Sequence, residues 1–187
     1  MLTRRAGYVY DPDYIEKVAV NCPAREESPL RFFYYDCAPF VGRRKLPVSG
    51  DIREFGGSDT WLKALAAKNL FAVRRGVLKF RGFKPKHVPI VPRELTDDDF
   101  APDFEQKGVD MRIGLDIATF CQTRAVERII LVTGDTDCIP AMKFARIGGL
   151  QIVLITFPGQ HVAPELLWHT DFRREIPWPP GERLPRE

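Results

Sequence analysis

Two aspartates, Asp135 and Asp137, follow an apolar run and lie where a strand would pass into a helix. The run RIILVT over residues 128–133 is typical of a buried parallel strand, and Gly134 permits a tight turn after it. Ligands of parallel α/β sheets bind at the carboxyl ends of strands, and hard cations such as Mg²⁺ take carboxylate oxygens. Helix capping explains one aspartate but not its neighbour, so this spacing favours a divalent-cation site.

Two further aspartates are predicted to reach the same sheet edge. Asp110 begins a predicted helix over residues 109–124, and Asp36 ends an aromatic strand predicted over residues 31–36. A cap or a turn explains each of them separately, but together they indicate an acidic cluster. Asp116 lies six positions after Asp110 and therefore points off that face. We expect Asp116 to pair with a cation or a backbone group.

Strands and helices alternate along the chain, which predicts a three-layer, Rossmann-like, mostly parallel α/β sheet with helices on both faces. We predict a single domain over residues 1–176 and a loose, proline-rich tail over residues 177–187. Glycine and proline predict a loop over residues 40–58, an irregular excursion over residues 84–105 and a break at Gly76 in an extended segment over residues 71–81. The predicted core residues are Trp61, Leu65, Ile113, Ile117, Ile130, Val132 and Val153.

The charge distribution is more informative than the net charge of +3. Residues 71–87 hold six basic side chains and no acid, and such a block can bind phosphates. The candidate RNA contacts within it are Arg74, Arg75, Lys79 and Arg81. A solvated face is the preferred interpretation of a charge run taken alone.

The cysteines and the apolar runs indicate the compartment. The chain has 4 cysteines without C-x-x-C pairs or histidines at zinc spacing, which predicts reduced thiols in a cytoplasmic protein. The apolar runs are too short for a membrane span, so no membrane partner is expected.

Three motifs share a family pattern. The segments FYYD (residues 33–36), KGVD (residues 107–110) and VTGDTDCIP (residues 132–140) resemble, in order and spacing, those of NYN domains of the LabA-like type. The resemblance covers most of residues 31–176. That family belongs to the PIN-like nuclease superfamily, which implies acidic residues that hold Mg²⁺ or Mn²⁺ and hydrolyse RNA.

The resemblance also implies roles for individual residues. Asp110, Asp135 and Asp137 correspond to the metal-binding and catalytic acids, and Asp36 is a further catalytic candidate. Lys107 joins the candidate RNA contacts. Single-stranded RNA is the expected partner, and a homo-oligomer is also compatible with the sequence.

The chain departs from the family pattern at its start. Such domains open with a strand that ends in an aspartate, whereas residues 2–7 look like what normally follows that strand. We therefore expect either a start placed too far downstream or an incomplete metal site. Without that strand, the middle of the sheet would contain a gap with exposed strand edges.

Three functions remain open from the residues. The first is a metal-dependent ribonuclease, and the second is a catalytically weakened NYN module that acts in RNA binding or regulation. The third is a phosphatase of the haloacid-dehalogenase type, suggested by Gly134-Asp135. It ranks last, because Asp11 and Asp13 match the D-x-D pattern of its nucleophile motif but no apolar strand precedes them.

Overall fold

The computed structural model describes residues 11–90 and 94–179 of the 187-residue chain. Within these ranges lie five α-helices and eight β-strands. The helices are α1 (Pro12–Val20), α2 (Thr60–Ala66), α3 (Val109–Thr123), α4 (Ile139–Ile147) and α5 (Pro164–Trp168). The strands are β1 (Phe32–Cys37), β2 (Gly42–Lys45), β3 (Ile52–Phe55), β4 (Phe71–Pro85), β5 (Phe100–Lys107), β6 (Arg128–Leu131), β7 (Gln151–Thr156) and β8 (Phe172–Glu175).

Strands β6, β7 and β8 form a parallel sheet in that order. Strand β7 lies at its centre, and every residue of this strand after Gln151 is buried, as the apolar run predicts. Because successive side chains alternate between faces, Val153 and Ile155 pack in one cluster with α1. Ile152 and Leu154 pack in a second cluster with residues of α3, α4 and α5. Helices therefore cover both faces of this sheet.

Strand β4 is the centre of a mixed sheet and changes partner at Gly76. Its first half runs parallel to β1 as far as the Cys37–Gly76 pair, and its second half runs antiparallel to β5 from the Val77–Lys107 pair. A Cβ atom on Gly76 would lie 2.7 Å from the Lys107 carbonyl oxygen and 2.9 Å from the Cys37 sulfur. The predicted break at Gly76 is therefore wrong: the strand continues through a position where a larger side chain does not fit.

The fold is mixed α/β, as predicted. Across the described part of the chain, however, the strands lie in three small sheets, because β1 and β6 are each at a sheet edge and do not pair with each other. One mostly parallel sheet is thus not formed by these residues. Helix α1 packs against both larger sheets, with Ile15 beside Phe71 and Val18 beside Val153. Residues 2–7, on which the expectation of a missing strand rests, lie outside the described residues.

Two segments predicted to be irregular contain strands. The predicted loop over residues 40–58 contains the antiparallel hairpin β2–β3, whose turn includes Gly50 with a φ of 76°. The predicted excursion over residues 84–105 contains β5, which tolerates Pro102 because it lies at the edge of its sheet. Glycine and proline content therefore leads to the wrong prediction where tertiary packing supports a strand.

The predicted core is mostly buried or half-buried, with one error. Leu65, Ile117 and Val153 are buried, whereas Val132 is 41% exposed because β6 ends at Leu131, one residue before it. The other predicted core residues, Trp61, Ile113 and Ile130, are half-buried.

Beyond the last strand, Trp178 stacks on Phe157 with the ring centroids 3.8 Å apart. The first residues of the predicted tail are therefore packed, and residues 180–187 lie outside the described part. No helix among the described residues is long and apolar enough to cross a membrane.

Candidate active site and nucleic-acid interface

The turn after β6 holds Asp135 and Asp137 at the start of a short 3₁₀ helix that leads into α4. The Asp135 carboxylate accepts a hydrogen bond from the Asp137 N–H at 3.0 Å, and the Asp135 N–H donates to the Thr133 hydroxyl at 3.1 Å. Asp135 therefore caps this helix with one oxygen. Both aspartates are exposed, so their carboxylates remain accessible to a ligand although Asp135 also caps the helix.

Asp110 reaches the same neighbourhood from the first turn of α3. Burial raises the pKa of the Cys138 thiol, and the negative charges of Asp135, Asp110 and Asp137 add to that rise, while the Thr133 hydroxyl opposes it. The three carboxylates thus lie near enough to Cys138 for their charges to act on it, where α3 contacts the turn after β6. Asp110 and Asp137 accept no hydrogen bond and form no ion pair within the described residues.

The three carboxylates fit a divalent cation in donor type but not as a complete cage. In residues 11–90 and 94–179, no group of three or more His, Cys, Asp or Glu side chains is arranged to hold a metal ion. Mg²⁺ commonly binds through one or two carboxylates and keeps several waters. Exposed carboxylates without protein partners suit that mode, so these residues fit an ion held partly by water or substrate.

Asp36 lies at the end of β1 in a different environment. Its side chain is buried, and its carboxylate accepts hydrogen bonds from the Cys37 N–H at 2.7 Å and from the Gln106 side chain at 3.2 Å. It contributes to the raised pKa of the Cys37 thiol, whose largest cause is burial. Asp36 therefore lies close to β5 and is engaged by protein donors, unlike Asp110 and Asp137.

Asp116 pairs with a cationic side chain, that of Arg74, as predicted. Its carboxylate accepts hydrogen bonds from Arg74 at 2.9 and 3.2 Å and from the Tyr35 hydroxyl at 2.9 Å. Burial and the negative charge of Asp116 raise the pKa of Tyr35, so this hydroxyl remains a neutral donor. The network joins β1, β4 and α3.

Most of the predicted RNA contacts form ion pairs with acidic side chains. The pairs are Arg74 with Asp116, Arg75 with Asp59, Arg81 with Glu105, and Lys107 with the same Glu105. Lys79 is exposed and forms no ion pair in the described part of the chain. Lys79 is therefore the predicted contact whose charge is most available to a phosphate.

A second basic surface, which was not predicted from the sequence, lies on the hairpin β2–β3. Arg44, Lys45 and Arg53 are exposed there and have no acidic partner among the described residues. The available signal is the segment IREF over residues 52–55, where one strand would place Arg53 and Phe55 on the same face. The glycines and prolines of this segment predict a loop, however, and side-chain spacing predicts a shared face only within a regular strand.

Comparison with known proteins gives one family. The NYN domain model matches residues 51–172, a range that contains Asp110, Asp135, Asp137 and the strands from β3 to β7. Neither the curated proteins nor the solved structures give a match. The match covers more than half of the chain, and we conclude that this protein belongs to the NYN domain family.

Proposed function

We propose that this protein is a metal-dependent ribonuclease of the LabA-like NYN type, with Asp110, Asp135 and Asp137 as its acidic site. An NYN domain is a member of the PIN-like nuclease superfamily, which suggests a ribonuclease-type function. The observation that supports the acidic site is that three exposed aspartates lie where α3 contacts the turn after β6, near enough for each to raise the pKa of Cys138. Mg²⁺ or Mn²⁺ is the proposed ion.

Each residue has a part in this proposal. Asp110 and Asp137 offer exposed carboxylates as ligands, and Asp135 offers its second oxygen while the first holds the helix start. A bound ion would supply an activated water and offset charge at the attacked phosphate. Lys79 binds the RNA backbone beside the site. Asp36, engaged by Gln106, is the least accessible of the four acids.

The test is cleavage of end-labelled single-stranded RNA with Mn²⁺ by the wild type, Asp135→Asn and Asp137→Asn. Asparagine caps helices as well as aspartate does, so Asp135→Asn should keep the helix start and lose only the charge. We expect each variant to lose cleavage on the order of 100-fold or more. Calorimetry should show weaker Mn²⁺ binding by the same variants.

A matched control is Asp98→Asn, which changes an exposed aspartate outside the acidic site and should cleave like the wild type. Cleavage by the wild type in the presence of a chelator would contradict metal dependence. Full activity in Asp135→Asn would remove this residue from the site.

A second candidate is an RNA-binding NYN module without hydrolysis. Two observations favour it: the described residues contain no complete metal-binding group, and Asp36 is already engaged by protein donors. This candidate predicts RNA binding that is insensitive to Asp135→Asn and no cleavage by the wild type at any Mn²⁺ concentration.

A further inference from the structure

Five phenylalanines form a half-buried cluster between the β2–β3 hairpin and the β4–β5 ribbon. Their neighbouring ring centroids lie 5.3 to 6.4 Å apart, within the range of favourable aromatic pairs. The members of this aromatic cluster are Phe40, Phe55, Phe80, Phe83 and Phe104. Aromatic packing therefore attaches the hairpin to the ribbon.

A β-bulge makes this cluster possible. Phe80 and Phe83 are three residues apart and would point to opposite faces of a regular strand. The pairing register shifts between Phe80 and Gly82, where Gly82 has a φ of 125°, and one extra residue restores both rings to the same face. The two ring centroids are then 5.3 Å apart.

Two arginines without acidic partners among the described residues lie over these rings. The Arg44 guanidinium is 4.9 Å from the centroid of Phe40 and 5.3 Å from that of Phe80, and the Arg53 guanidinium is 5.1 Å from that of Phe55. Stacking on the rings orients both guanidinium groups. Arg44 donates one hydrogen bond to the Arg43 carbonyl oxygen at 2.7 Å, and its other N–H groups remain available. The neighbouring Arg43 differs, because it pairs with Glu54 at 2.5 Å.

A cleft of about 290 Å³ opens beside the cluster. Its lining includes Phe40, Phe55, Trp61 and Phe104. The polar residues of the lining include Gln106 and Asp36, whose side chains share a hydrogen bond at 3.2 Å. Flat aromatic walls with a few polar groups suit a planar ligand that carries N–H donors and carbonyl acceptors. A nucleobase has this chemistry, whereas an aliphatic side chain has no donors or acceptors with which to bond the polar groups.

We propose that this cleft binds an unpaired nucleobase of single-stranded RNA, while Arg44 and Arg53 bind the adjacent phosphates. Single-strand sites commonly combine stacking side chains with a basic path for the backbone. A base within a duplex is stacked and paired, so it cannot enter. The proposal rests on the proposed function for its choice of RNA as the ligand, but it does not depend on cleavage.

The experiment measures binding of a short fluorescein-labelled single-stranded RNA by anisotropy with a chelator present, so that cleavage plays no part. Arg44→Gln with Arg53→Gln should weaken binding by about tenfold or more. Arg43→Gln is the matched control and should bind nearly as the wild type does, since Arg43 is already paired. All three proteins should have the same circular dichroism spectrum and melting temperature.

The base site is tested separately from the phosphate contacts. RNA with a single abasic position at the bound nucleotide should bind roughly 5- to 100-fold more weakly than intact RNA. Phe55→Leu should reduce that difference, because it removes one stacking wall.

Failure of this inference and failure of hydrolysis give different results. Weaker RNA binding by the Arg44 and Arg53 double variant, together with weaker binding of the abasic RNA, supports the cleft even when the wild type never cleaves. Equal affinity for single-stranded and duplex RNA would overturn the cleft, as would wild-type affinity in the double variant or absence of RNA binding by the wild type.

Discussion

Glu27 shows how a single carboxylate can join distant parts of the chain. It accepts hydrogen bonds from Arg174 of β8 at 2.9 and 3.0 Å, from the Ala24 N–H at 2.6 Å, and from Arg128 of β6. These donors lower its pKa from 4.5 to about 2, with the Arg174 hydrogen bond the largest cause and burial acting in the opposite direction. The Glu27 carboxylate therefore links the two edge strands of the parallel sheet, β6 and β8.

This network predicts a specific acid sensitivity. Because the folded pKa is lowered, the stability that ionised Glu27 contributes is present above pH 4.5 and is lost as the pH falls toward about 2. Glu27→Gln should reduce the free energy of unfolding at neutral pH by on the order of 1–3 kcal/mol. Urea denaturation of both proteins at neutral pH and at about pH 3 measures the difference, which should shrink in acid.

The matched control for this measurement is Glu26→Gln, which changes the exposed neighbouring carboxylate. It should leave the unfolding free energy within about 0.5 kcal/mol of the wild type. An equal effect of the two substitutions would show that the Glu27 network does not stabilise the sheet.

Among the elements, β4 is the one that most determines the architecture, since it runs parallel to β1 and then antiparallel to β5. The change of partner occurs where β1, β5 and the start of α3 all approach Gly76. A strand of ordinary residues could not pass through this point, because a Cβ atom would meet backbone and buried sulfur. Glycine is required there by close packing and not by an unusual backbone conformation.

Gly76→Ala should therefore destabilise the protein by about 1–3 kcal/mol through overpacking. Gly114→Ala is a control of opposite sign, because Gly114 lies in the middle of α3 and a Cβ atom there would meet open space. Alanine should stabilise that helix by roughly 0.5–1 kcal/mol. Thermal or urea unfolding of the two variants gives both values, and a neutral Gly76→Ala would contradict the described crossing.

Over the whole molecule, folding redistributes the charges of the sequence. The basic block over residues 71–87 contains no acid of its own, yet Asp59, Asp116, Asp103 and Glu105 pair with four of its side chains. Of the six basic side chains in the block, Lys79 and Lys86 form no ion pair within the described part of the chain, and Arg44, Lys45 and Arg53 of the β2–β3 hairpin also have no acidic partner there. The surface available to phosphates is therefore different from the one the linear charge pattern indicates.

The salt dependence of RNA binding tests which surface is used. For single strands, the logarithm of affinity should fall with the logarithm of salt by about 0.7 per phosphate contacted. Lys79→Ala with Arg81→Ala should lower both affinity and this slope if the block binds RNA. Titration across a range of salt concentrations measures the slope. If this double variant has the wild-type slope, the basic block is a solvated face.

Local signals in the amino-acid sequence were sufficient to predict several elements. The apolar run of β6, the boundaries of α3 and the Asp135–Asp137 turn all follow from periodicity and capping within a few residues. The family motifs share this property, since they are short segments in a constant order. For that reason the NYN family could be recognised from the residues alone, whereas the roles of its acidic candidates stay predictions.

The remaining features depend on tertiary structure, because contacts between distant segments have no local signal. The hairpin β2–β3 forms where glycine and proline predict a loop, since aromatic rings from β4 and β5 pack against it. Arg74 has no acid near it in the sequence, but Asp116 approaches it from α3. Phe83 joins the aromatic cluster because a bulge in β4 turns it toward Phe80, which a period of two along the strand does not predict.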